Sequence, residues 1–133
     1  MSKQVKGPFE TKRTVEPAID LGDGVMGGHF RVDKVFAGAL AGTGVVHMLS
    51  VGTATPGSAA YVAVERIRAT LEGKSGSFCM QHNGTMNRGA ATLDLTVVPD
   101  SGTDGLVGLA GRMAIDIADG KHTYTFDYAL PNG

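Results

Sequence analysis

A chain of 133 residues, 42% of them hydrophobic, is enough for one domain with a sizeable core and too short for two. Its 12 basic and 13 acidic residues are interspersed and leave a formal charge of -1, which excludes the basic footprint of a nucleic-acid binder or an anionic-membrane binder. An aromatic content of 6% without Trp also excludes a stacking surface for bases, and the single Cys79 excludes an internal disulfide.

That lone thiol fits a reducing compartment. The first residues, Met1 to Phe9, hold no apolar core of a signal peptide, and no later apolar run is long enough to span a bilayer, so the expected location is cytoplasmic. The 20 glycines separate short segments rich in Val, Thr, Phe and Tyr, which is how an antiparallel meander is punctuated.

The first strand is predicted over Val5 to Arg13, with Pro8 marking an edge or closure point because proline donates no ladder hydrogen bond. Glu16 to Gly28 reads as a loop, a mobile cover or an ordered cap. Asp20 and Asp23 lack the further oxygen ligands and closing Glu of a calcium loop. From His29 to Leu40 the alternation puts Phe30, Val32, Lys34, Phe36, Gly38 and Leu40 on one face, with Lys34 as its one charged member. A turn at Gly42-Thr43-Gly44 is expected to lead into Val45 to Val51, a nearly all-apolar strand of the kind covered on both sides.

After a Thr/Ala/Pro/Gly loop, Ala59 begins a strand that runs through Glu65, and Ser75 to Thr85 forms its hairpin partner. With Gly73-Lys74 as the central turn residues, Glu65 faces His82, Ile67 faces Met80 and Ala69 faces Phe78. If Gly52 and Ser58 flank the preceding loop, His47 pairs with Ala63 and shares the face of Glu65. Downstream, a turn centred on Asn87-Arg88 places His82 against Leu93, Met80 against Leu95 and Phe78 against Val97. Residues 104–109 combine turn residues with helical spacing and are expected to plug one end of the sheet. The last hairpin, turning at Asp119-Gly120, sets Ile117 against His122, Ile115 against Tyr124 and Met113 against Phe126, with an Arg112–Asp127 ion pair outside. About eight strands in meander order predict an all-β, antiparallel up-and-down barrel, with a flattened two-sheet sandwich as the alternative.

Several ordered motifs carry a resemblance: Lys34-Val35-Phe36-Ala37-Gly38-Ala39-Leu40, Val64-Glu65-Arg66, Gly73 to Phe78, Gln81-His82-Asn83-Gly84-Thr85, Thr96 to Pro99, Gly105 to Leu109 and Tyr124-Thr125-Phe126-Asp127-Tyr128. In these the chain resembles the bacterial family catalogued as domain of unknown function 3224, over nearly its whole length. The resemblance implies a small antiparallel barrel similar to the allene oxide cyclase and dirigent barrels. The chain departs from that pattern at His47 and Leu95, and the family's name assigns no activity.

The candidate catalytic residues are Glu65, His82 and Lys34, an acid, an imidazole and an ammonium on one otherwise apolar interior face. His47, Tyr61, Ile67, Phe78, Met80, Tyr124 and Phe126 are the candidate binding residues around them. Such a site suits a small hydrophobic or oxygenated metabolite, either bound only or isomerised, cyclised or hydrolysed without a cofactor. Carboxylate-dependent peptide hydrolysis or self-cleavage is a further variant, weakened because no pair of Asp-Thr-Gly or Asp-Ser-Gly motifs presents two aspartates. The alternative is a non-enzymatic protein that acts through its surface, in which the polar network only pins the barrel register. His47, His82 and Glu65 would make a two-His-one-carboxylate set, but no His-x-His or His-Glu-x-x-His element accompanies them, so no metal is assigned. His29 and His122 are expected to face solvent. A homodimer is expected through the outer face bearing Val62, Val64, Arg66, Arg68 and Thr70.

Overall fold

The computed structural model describes residues 2–131. Eight strands follow one another as neighbours: β1 (Ser2–Val15), β2 (Val25–Phe36), β3 (Leu40–Thr53), β4 (Ala59–Leu71), β5 (Lys74–Asn87), β6 (Ala90–Val97), β7 (Ala110–Ala118) and β8 (Lys121–Ala129). β1 then pairs with β8, so the sheet closes into the expected antiparallel barrel and not a sandwich. Pro8 does mark the closure: β1 lies against β8 from Ser2 to Phe9 and against β2 from Phe9 onward. Among the described residues the only helix is one 3-10 turn, Asp104–Leu106, and no helix is long and apolar enough to cross a membrane.

Three hairpins share one device. Their central residues are Glu72-Gly73, Arg88-Gly89 and Asp119-Gly120, each with positive φ at both positions (47° and 85°, 48° and 91°, 52° and 76°). This is the turn whose twist matches paired strands, and it favours glycine second. The last of these is as expected, and its whole register holds. The first two turns lie one residue away from the expected positions, which moves each register by two: Glu65 faces Met80, His82 faces Ala63, and Met80 faces Val97. A shift of two leaves every side chain on its original face.

Two other expectations are corrected. The β2–β3 connection is at Ala37 to Ala39, not at Gly42-Thr43-Gly44, so both of those glycines lie inside β3. The buried Tyr124 hydroxyl holds this tip, donating to the Ala37 carbonyl at 2.7 Å and accepting from the Leu40 amide at 2.9 Å. Across β3–β4 the register differs by one: His47 faces Val64 and Val46 faces Glu65. A one-residue slip reverses faces, so His47 points outward, and β3 is covered on one side only, with Leu49 42% exposed. Val62 and Val64 lie on the same outer surface, as expected. Arg112 does oppose Asp127, but Asp127 instead accepts the Gln4 side-chain amide at 2.8 Å, and no ion pair joins it to Arg112.

The interior has two halves. Leu40, Ile67, Leu71, Phe78, Met80, Leu95, Met113, Tyr124 and Phe126 fill one, with Phe78 and Phe126 stacked at 5.9 Å. Leu106 and Leu109 from the turn near residue 104 belong to this cluster and plug that end, as the spacing predicts. The segment leading there straps β5: Ser101 Oγ accepts the Cys79 amide and Thr103 Oγ1 accepts the Ser77 amide. The other half holds only a small cluster, Val32, Val46 and Ala63, with Met48 and Tyr61 against it. Here the wall is also least closed, because β6 and β7 pair only at Leu95–Met113 and Thr96–Arg112.

Candidate functional site

At the boundary between these halves lie Lys34 on β2, Glu65 on β4 and His82 on β5, buried at 6%, 2% and 3% exposure. His82 sits diagonally from Glu65 across neighbouring strands, and its Nε2 is 2.8 Å from Oε1. Lys34 must reach across the intervening strand β3. Its partner there is Gly44, and over that bare Cα the ammonium donates to the same Oε1 at 3.2 Å. A Cβ at Gly44 would stand 2.5 Å from Oε2 and 3.1 Å from the Phe36 ring. The glycine read from sequence as a turn residue is therefore the passage through which the ion pair crosses β3.

The carboxylate is fully buried, with Oε1 doubly engaged and Oε2 without a hydrogen-bond partner among the described residues. Burial pushes the Glu65 pKa up, but the His82 hydrogen bond and the Lys34 charge together outweigh it and hold the acid below its ordinary 4.5. Its contribution to stability is thus present above about pH 4.5 and is lost as pH falls through the lower folded value. Chemical unfolding followed from pH 6 to pH 3 should accordingly show a steeper acid loss in the wild type than in Glu65→Gln. Equal slopes would mean that this carboxylate is not held ionised by its neighbours. Lys34 also lies 5.2 Å and 5.8 Å from the Phe9 and Phe36 ring centroids, so its remaining surroundings suit a cation.

Above the cluster opens a cavity of about 390 Å³, lined among others by Thr11, Arg13, Lys34, Met48, His82 and Leu93. A second compartment of about 390 Å³ continues it toward the open end and shares Arg13, Met48, Tyr61 and Leu93. Lys34 and His82 line the lower compartment, and Glu65 grips both from behind without lining it. Among the described residues His82 Nδ1 has no hydrogen-bond partner.

Of the expected binding residues only Tyr61 borders the space; burial and, second, the Glu65 charge raise its pKa. Ile67, Phe78, Met80, Tyr124 and Phe126 are fully buried in the plugged half, so they fill core and line neither compartment. Alternation placed them on the right face but could not tell depth along the barrel. His47, outside, is removed from the site, and with it the two-His-one-carboxylate set. No three His, Cys, Asp or Glu residues come together for a metal among the described residues. Arg13 and His122 were missed: His122 is half-buried, 5.2 Å from the Phe9 ring, and lines the cavity instead of facing solvent. The signal for both was strand phase, since Arg13 shares the face of Phe9 and His122 that of Tyr124.

Fold and site together define a small closed antiparallel barrel with a buried Lys–Glu–His cluster beneath an open, mainly apolar cavity. The chain belongs to the family described as protein of unknown function (DUF3224), which it matches over residues 5–128. It is similar to a protein with unknown function from the DUF3224 family of Shewanella oneidensis MR-1, whose crystal structure was determined at 1.84 Å resolution. The two share 42% sequence identity with a TM-score of 0.94, and the match covers 98% of this chain and 99% of that one. No curated protein matches the chain.

Proposed function

We propose that the barrel binds a small, mainly apolar, oxygenated molecule in the cavity above Lys34 and His82, and that these two groups carry out cofactor-free acid/base chemistry on it. The observation that carries the reading is the division of labour at Glu65. One buried oxygen holds both partners from behind while both partners face the cavity.

A carboxylate on Nε2 favours the tautomer with its proton there, leaving the Nδ1 lone pair as an acceptor. Lys34 supplies a fixed positive charge where oxyanion charge would develop. With a carbonyl oxygen on Lys34, His82 Nδ1 takes a proton from the adjacent carbon. The electron pair moves to the oxygen as an enolate, and in a ligand with a β,γ double bond returning the proton to the γ-carbon gives the conjugated isomer. Atoms and charge balance without a cofactor. A likeness to allene oxide cyclase-type barrels is compatible with isomerase or cyclase chemistry.

The test is ligand-observed NMR with a collection of small ketones, enones and epoxides, on the wild type and on Met48→Trp, which fills the space shared by both compartments. Binders that are lost in Met48→Trp are expected, and in spectra of the protein itself they should perturb the His82 ring signals. An absence of binders, or binders indifferent to Met48→Trp, would overturn the reading. Exchange of the ligand's α-hydrogen for deuterium, lost in His82→Phe, separates catalysis from binding alone.

A further inference from the structure

The charge on the cavity wall is one-sided. Across both compartments no Asp or Glu among the described residues borders the space, and the charged liners are Arg13 and Lys34, with His82 and His122 as titratable neighbours. Lys34 is compensated from behind by Glu65. Arg13 is not: the ion pairs of the described residues are Arg31–Asp33, Lys34–Glu65 and His82–Glu65, and none involves it.

Arg13 is also placed with care. It is an inward-phase residue of β1, in line with the buried Phe9, and faces Val32 across β2. Its exposed side chain carries the guanidinium 4.4 Å from the centroid of the Phe30 ring, within cation–π range. Lys34 faces Thr11, two residues deeper on β1, so the two side chains leave the wall at levels about 7 Å apart along the strand direction, at about 3.4 Å per residue. Much of the remaining lining is apolar, with Met48, Leu93, Ile115 and Ile117.

We infer that the ligand of this cavity is an apolar monoanion, a carboxylate or sulfonate whose acid group pairs with Arg13 where the compartments meet and whose body lies over Met48 and Leu93. This rests on the proposed ligand-binding reading and narrows it to a charge class. An uncompensated arginine beside apolar walls gives a planar, bidentate partner to an oxyanion, which a neutral ligand cannot use. With no acidic group on the cavity wall and the Glu65 charge already paired with Lys34, the wall does not repel that anion.

The experiment compares two fluorescent probes with the same aromatic body, anilinonaphthalene sulfonate and the uncharged phenylnaphthylamine, by titration against wild type, Arg13→Met and Arg13→Lys. The wild type should bind the sulfonate at least tenfold more tightly than the neutral probe. Arg13→Met, which keeps the packing on Phe30, should abolish that preference without weakening the neutral probe, and Arg13→Lys should retain part of it. Equal binding of both probes to wild type, or a preference that survives Arg13→Met, overturns the anion assignment and leaves the binding reading intact. Failure of both probes to bind the folded wild type overturns the two together.

Discussion

Glu65→Leu is expected to lower the unfolding free energy by about 3 kcal/mol, because removing one member of a buried ion pair strands the other charge. Leucine fills the space of the glutamate, so the loss reflects Lys34 and His82, whose one shared acceptor disappears. Lys34 borders the cavity and can reach water, which keeps the cost at the lower end of what such deletions show. Glu65→Gln retains an acceptor and should cost less than half as much. The decisive comparison is the triple variant Lys34→Met, Glu65→Leu, His82→Leu, which removes every charge at once. It should recover most of the loss, since apolar replacements of buried ion clusters are often neutral or stabilising. Urea unfolding with an unchanged slope measures all of these. If Glu65→Leu were as stable as the wild type, the cluster would not be a coupled unit. If the triple variant were stable yet still exchanged a ligand's α-hydrogen, the chemistry assigned to His82 would be wrong.

The second large effect is expected at Gly44. Alanine there puts a methyl 2.5 Å from Glu65 Oε2 with the Phe36 ring 3.1 Å away, so the carboxylate must turn and the Lys34 contact must lengthen. The expected cost is about 2 kcal/mol, typical of overpacking a filled interior. Gly to Ala within a strand ordinarily gains about 0.5–1 kcal/mol, so the sign itself is diagnostic. In a Glu65→Ala background the methyl has room, and the same substitution should become neutral or stabilising. A double-mutant cycle should therefore show coupling above about 1 kcal/mol. Additive effects of the two substitutions would mean that Gly44 does not serve as the crossing point.

These two residues show how unevenly the site was legible. Glu65 and His82 were paired from sequence with both neighbouring turns misplaced by one residue. The direct pairing gave way to a diagonal contact, which survives because a displaced two-residue turn moves the register by two, and side chains alternate with a period of two. His47 was lost by the opposite arithmetic: the β3–β4 register differs by one, and one is enough to send a side chain through the wall. Gly44 was invisible as a site residue, since a glycine between two others reads as a turn unless the hairpin tip is already known to lie at Gly38. What places the tip there is the Tyr124 hydroxyl, which is 84 positions away from Leu40 in the chain.

By itself, then, the amino-acid sequence determined the strand count, the meander order, the closing hairpin at Asp119-Gly120, and the interior face shared by Lys34, Glu65 and His82. All of these follow from local periodicity and turn chemistry. Tertiary structure decided depth and access. Whether an interior residue becomes core or cavity wall depends on which end Leu106 and Leu109 plug and on where β6 and β7 stop pairing. Those contacts join segments far apart in the chain. They turned Phe78 and Tyr124 into packing, brought Arg13 and His122 to the cavity, and let one glycine on β3 carry the ion pair between β2 and β4.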